Sequence, residues 1–159
     1  MKDKLEIRFA SNNDLNLYFE WVNDKLVRLN SLDSNVITYE NHKSWFIKKL
    51  NSSNCYLLVM DINGKPAGQI RFEINNEISL IDYSIDKKKR GIGLGNMIVK
   101  YGIDFIVEKL RSKKIKLLKA IVKRSNLASI NIFMNNGFTV NPNSHKKENI
   151  IFEKKLTRL

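Results

Sequence analysis

The residues of this chain best suited to chemistry run from Asp86 to Met97, Asp-Lys-Lys-Lys-Arg90-Gly-Ile-Gly93-Leu-Gly95-Asn-Met. Four adjacent cations lead into three alternate glycines, and Leu94, Met97, Ile98, Tyr101 and Phe105 then recur at helical spacing. Glycine lets the backbone approach a ligand closely, and the first turn of a helix presents unpaired N–H groups at the positive end of its dipole. Together these features make a cradle for a pyrophosphate. Glycines also make tight strand-to-helix turns, but a purely structural turn has no use for four consecutive positive charges. Two familiar phosphate loops do not fit. A Walker loop ends Gly-Lys-Ser/Thr where this one ends Gly95-Asn96-Met97, and a Rossmann fingerprint is G-x-G-x-x-G rather than G-x-G-x-G.

The wider charge pattern agrees. The formal net charge is +12, and residues 87–124 hold 13 of the 28 basic residues against Asp104 and Glu108 alone. A concentrated basic segment suggests a polyanionic ligand, whether nucleic acid, an acidic membrane surface or a phosphate-bearing small molecule; the alternative is a solvated lysine-rich face. No helix-turn-helix, RNP or zinc pattern accompanies the charge, which weighs against nucleic acid. With one cysteine, Cys55, and two histidines, His42 and His145, the chain can build neither an internal disulfide nor a Cys/His zinc cluster, so no metal is expected. The 159 residues, 43% of them hydrophobic and 28% charged, suit a single globular domain over 1–159. The opening MKDKLEIRF lacks an apolar signal core and no apolar run approaches about 18 residues, so a cytoplasmic protein without membrane contact is expected.

The elements that must position the loop can be read in order. Leu5 to Phe9 alternates as a strand, and Ser11 with Asp14 forms a capping-box pattern before a helix carrying Leu15, Tyr18, Phe19 and Val22. Residues 21–35 read as a polar loop able to line a site, and 40–50 as an amphipathic helix burying Trp45, Phe46 and Leu50. Residues 55–62, the Asn63-Gly64 turn, 65–74, the Asn75-Asn76 turn and 77–85 predict a three-strand antiparallel meander. A helix over 93–110, a strand over 115–123, a helix over 126–135 and strands near 138–140 and 149–156 complete an α/β domain with a mixed sheet.

At the loop and beyond it the sequence resembles the GCN5-related N-acetyltransferases. Arg90-Gly91-Ile92-Gly93-Leu94-Gly95 meets the family's Arg/Gln-x-x-Gly-x-Gly/Ala signature, with Ile85 at the hydrophobic position five residues earlier. Asn126, Ser129, Phe133, Gly137 and Phe138 align with its second signature, Asn-x-x-Ala-x-x-x-Tyr-x-x-x-Gly-Phe. The resemblance covers essentially the whole chain. It implies a mostly antiparallel sheet whose fourth and fifth strands splay apart to admit acetyl-CoA. Ser84 and Ile85 would meet the pantetheine arm through their backbone, Arg90, Gly91, Ile92, Gly93, Leu94, Gly95 and Asn96 would hold the pyrophosphate, and Asn126 and Phe133 would face the arm from the other side.

The implied reaction is direct attack of an amine on the thioester in a ternary complex. It requires a neutral amine, donors for the developing oxyanion and a proton for the departing thiolate. The family's usual acid is the tyrosine of the second signature, replaced here by Phe133, which leaves Tyr83 or water. For the base, a water relay to Glu77, Asp82 or Tyr83 is expected; ordinary strand roles are the alternative for each. Acceptors in the family bind through the first two helices and their loop, which draws in Trp21, Asn23, Arg28, His42, Trp45 and Arg71. This set is similar to that of the branch acting on UDP-4-amino-4,6-dideoxy sugars. Arg28 or Arg71 would then pair with a nucleotide diphosphate while Trp21, Trp45 or Phe46 walls the sugar; core packing is the alternative for Trp45 and Phe46. His42 reads as a helix-surface residue. A protein N-terminal or lysine acetyltransferase is the second reading and a nucleic-acid-binding module the third. A monomer, or a homodimer through a strand edge near 138–156, is expected.

Overall fold

In the computed structural model residues 2–144 and 148–157 are described, and His145 lies outside them. The elements are β1 (Leu5–Phe9), α1 (Leu15–Val22), α2 (Lys25–Asn30), α3 (Tyr39–Leu50), β2 (Cys55–Ile62), β3 (Lys65–Asn75), β4 (Ile78–Ile85), α4 (Leu94–Lys109), β5 (Leu117–Lys123), α5 (Leu127–Asn135), β6 (Thr139–Val140) and β7 (Asn149–Lys155). They form one seven-stranded sheet in the order β1-β2-β3-β4-β5-β7-β6, antiparallel except between β4 and β5. The expected α/β class with a mixed, mostly antiparallel sheet is thus observed. The β2–β3 hairpin turns on Asn63 and Gly64 at φ 51° and 76°, the left-handed pair that suits the twist of its strands.

Alternation along the central strands sorts side chains between two layers. Ile70, Phe72 and Ile74 of β3 enter the larger core with Ile98, Ile103 and Ile106 of α4 and Phe133 of α5. Cys55, Leu57 and Val59 of β2 pack on the opposite face against Tyr18 and Trp21 of α1 and Phe46 of α3. The second face therefore offers Gln69, Arg71, Asp82 and Ser84, by the same two-residue alternation, to the α1–α3 side. The Ser11–Asp14 capping box is present in both directions, although it opens a single 3₁₀ turn that runs on into α1.

Two expectations need correction. The polar run 21–35 contains a helix, α2, because Asp24 caps it by accepting the Val27 N–H at 3.3 Å. His42 is 2% exposed rather than on the helix surface, its Nε2 3.0 Å from the Leu15 carbonyl oxygen and its ring packed between Phe19, Trp45 and Phe46. Burial holds its pKa below the ordinary histidine value, the Leu15 carbonyl opposing. No described helix is long and apolar enough to cross a membrane.

Candidate active site

The parallel pairing of β4 with β5 stops after three residues, Ile78–Leu80 against Leu117–Lys119. Beyond Leu80 the strands diverge, although β4 stays paired with β3 through Ile85 and β5 with β7 through Lys123. The facing edges of residues 81–85 and 120–123 are left without a strand partner, and backbone N–H and C=O groups there are available to an extended ligand. A cavity of about 860 Å³ fills this gap and continues beneath α2 and α3.

The glycine loop closes one end of the cavity. Gly91 and Gly93 take φ of 82° and 85°, which L side chains adopt only with strain, and α4 begins at Leu94. The first-turn N–H groups of α4 have no carbonyl within the helix and point into the loop. At Gly95 a Cβ would meet the Cδ1 end of the Ile132 side chain of α5, which would have to shift. Asn96 Oδ1 is buried with no hydrogen-bond partner. An orphaned acceptor beside a row of N–H groups fits a ligand that is anionic at one point and offers amide donors at another, as acetyl-CoA does. Gly91, Gly93, Leu94, Gly95, Asn96, Ser84, Ile85, Asn126 and Phe133 all line the cavity. Ile92 does not, and is 68% exposed. Asn126 spends its amide oxygen on capping α5, accepting from the Ser129 N–H at 3.2 Å.

Beside Gly95, at the end of the loop, Tyr83 Oη lies 2.7 Å from Ser129 Oγ. The two departures from the second signature therefore meet at one place: the ring of Phe133 packs edge-on against Tyr83 at 5.7 Å, and the Ser129 hydroxyl takes up the Tyr83 phenol. Phe133 is 3% exposed, meets Phe138 edge-on and stacks on Phe152. Burial pushes the Tyr83 pKa up to about 12, the Ser129 hydrogen bond opposing and the Asp82 charge adding to it. At neutral pH the phenol holds its proton, as a proton donor must.

The rest of the cavity, the candidate acceptor half, is built by β3 and β4 below and by α1–α3 above. Gln69 Nε2 donates to Asp82 Oδ2 at 3.2 Å and to Ser84 Oγ at 3.3 Å, gathering the polar groups of two strands. Asp82 lines the cavity with its side chain 56% exposed. Glu77 does not line it: the residue sits at the β3–β4 turn and pairs with Lys116 at 2.8 Å. Arg71 lies 5.2 Å from the Trp45 ring centroid and makes only long ion pairs, 3.8 Å to Glu73 and 3.9 Å to Asp82. Arg28 is committed differently, donating to the carbonyls of Val22, Asp33 and Asn35 and to Ser31 Oγ. Asn23 clamps the Ile37 backbone through both ends of its amide and does not line the cavity. Trp21 is 5% exposed, its Nε1 donating to Asp86 Oδ2 at 2.9 Å. Arg28 and Asn23 thus fix the segment that roofs the acceptor half, and Trp21 backs it.

A covalent route has little to work with. Cys55 is buried, lies outside the cavity, and has its thiol pushed up to about 11 by burial and by the charge of Glu73. Among the described residues no group of three His, Cys, Asp or Glu side chains is placed to hold a metal ion.

The family model of the acetyltransferase (GNAT) domain matches residues 4–139. No curated protein matches the chain. Among solved structures, a domain from Methanocaldococcus jannaschii DSM 2661 superposes with a TM-score of 0.82 at 20% identity, covering 98% of this chain and 100% of that one. Spermidine N-acetyltransferase from Vibrio cholerae, in complex with CoA and spermine, gives 0.83 at 13% identity with 95% of each chain covered. Ribosomal-protein-alanine N-acetyltransferase from Brucella melitensis gives 0.76 at 21% identity, covering 95% of this chain and 99% of that one. The splayed strands, the loop and the family match over 4–139 give one conclusion: the chain belongs to the GNAT family of acetyl-CoA-dependent N-acetyltransferases.

Proposed function

We propose that this acetyltransferase acts on the primary amine of a small, hydroxylated acceptor, and specifically on the 4-amino group of a UDP-activated 4-amino-4,6-dideoxy sugar. The observation that carries the acceptor class is Arg71 beside Trp45: a loosely paired guanidinium and an aromatic face, together on one wall, suit an acceptor that is anionic at one end and apolar along one side. The roof of α2 and residues 31–37 over the acceptor half favours a small molecule over a peptide chain.

When bound, acetyl-CoA supplies an acetyl group activated as a thioester. The N–H groups of residues 91–96 hold its pyrophosphate and the free edge of β4 holds the pantetheine arm. Asp82, held by Gln69 and open to the cavity, accepts the proton that the amine sheds as its nitrogen bonds to the acetyl carbon. Tyr83 Oη gives its proton to the sulfur as the carbon–sulfur bond breaks, and Ser129 orients the phenol. Asp82 then returns its proton to Tyr83, directly or through solvent, so the protein neither gains nor loses a proton over the cycle.

The test is CoA release from acetyl-CoA over UDP-4-amino-4,6-dideoxyhexoses, simple amino sugars, polyamines and peptides with free N-termini. Turnover at least ~10-fold faster with the nucleotide sugars, and lost on Arg71→Ala, is the expected result. Turnover confined to peptides replaces this acceptor with a protein N-terminus or lysine.

A further inference from the structure

Two side-chain ties join the glycine loop to the wall of the acceptor half, and their meaning rests on reading residues 90–96 as the pyrophosphate site. The guanidinium of Arg90 is shared between two partners: Nε donates to the Ile85 carbonyl at 3.1 Å, and Nη2 pairs with Asp24 Oδ1 at 2.6 Å. The same Asp24 oxygen caps α2. Burial raises the Asp24 pKa, but Arg90 and the backbone N–H groups of α2 outweigh it and hold the carboxyl below its ordinary value. At the other end of the basic turn, Asp86 accepts from Trp21 Nε1 with one oxygen and from the Lys88 N–H, 2.8 Å away, with the other.

α2 depends on such ties. It has six residues, none of them fully buried, and a helix that short does not hold itself in water. Yet Leu26, Val27 and Arg28 line the cavity, so the shape of the acceptor half follows the placement of α2. Asp24 itself lines no part of the cavity.

We propose that the Asp24–Arg90 pair makes α2 and the pyrophosphate loop one cooperative unit, so that binding of acetyl-CoA orders the acceptor wall before the amine arrives. A ligand seated on the loop suppresses the motion of residues 90–96, and the charge pair passes that restriction to the cap of α2. The ordering cost of the wall is then met by the first substrate, and the acceptor binds more tightly by the factor with which it tightens acetyl-CoA. Asp24 is a positioning residue, acting through Arg90 and α2.

Hydrogen exchange of the full chain, with and without saturating CoA, tests this without any acceptor. In the wild type CoA should slow the amides of residues 25–31 by at least ~5-fold, along with those of 91–97. Asp24→Asn should reduce the slowing of 25–31 to less than about twofold while 91–97 stay protected as in the wild type. Arg90→Gln cuts the tie from the other side, and the double variant should lose no more than either single one. Unchanged exchange of 25–31 on adding CoA, or equal slowing in wild type and Asp24→Asn, overturns the coupling. Absence of protection at 91–97 in the wild type overturns the cofactor site beneath it, so the two failures are told apart.

Discussion

Gly93→Asp should abolish acetyl-CoA binding while leaving the fold intact. Gly93 sits at φ 85° with nothing within 4 Å of where a Cβ would be, so the protein itself has room for a side chain and the backbone strain is about 1 kcal/mol. Gly93 is the N-cap of α4 and lines the cavity, so a side chain there stands beside the unpaired first-turn N–H groups that would receive the pyrophosphate. A carboxylate there meets pyrophosphate charge; at about 4 Å and an effective dielectric near 20 two unit charges repel by about 4 kcal/mol. Calorimetry should therefore show affinity reduced by at least ~100-fold. Gly93→Ala, which adds strain without charge, should cost less than about 10-fold. Unchanged affinity in Gly93→Asp would remove the cofactor site from this loop.

Tyr83→Phe should lower kcat by about 100-fold or more and leave the KM for acetyl-CoA within a few-fold, as expected when a proton donor is removed and packing is kept. The ring can still lie edge-on against Phe133, so the loss would belong to the hydroxyl. With the phenol pushed up to about 12, the protonated donor persists through the ordinary assay range, and Tyr83 imposes no alkaline loss of activity below about pH 11. Full activity in the variant would assign the proton to water, or let the thiolate depart unprotonated.

The parts of this architecture that were legible in the sequence are local ones. The glycine loop, the Asn63-Gly64 turn and the 16 residues of α4 are each contiguous in the sequence, and the strands of the meander alternate plainly. α2 was not legible, since its Asn- and Ser-rich surroundings read as loop and only the Asp24 cap distinguishes it. His42 at 2% exposure shows the same limit: its helix pattern is right, but its burial depends on Leu15 and Phe19 of α1 arriving from elsewhere. The Tyr83–Ser129 pairing is further out of reach. Tyr83 and Ser129 are 46 residues apart, and their contact exists only because β4 and α5 face each other across the gap. Likewise Glu77 and Asp82 look interchangeable as bases until the register puts one at a turn with Lys116 and the other beside Gln69 in the cavity. Asp24 stood in plain view within Trp21-Val-Asn-Asp, but nothing local connects it to Arg90, 66 positions later.

The central claim is direct transfer from acetyl-CoA to an amine, and intact-protein mass measurement combined with thiol titration tests it most directly. Incubated with acetyl-CoA alone, the protein should gain no acetyl group and release no CoA beyond the uncatalysed background; on adding an accepted amine, CoA thiol and acetylated amine should appear one for one. A stoichiometric acetyl adduct on the protein, with a burst of CoA before any amine is added, would contradict direct attack and require a nucleophile other than the buried Cys55.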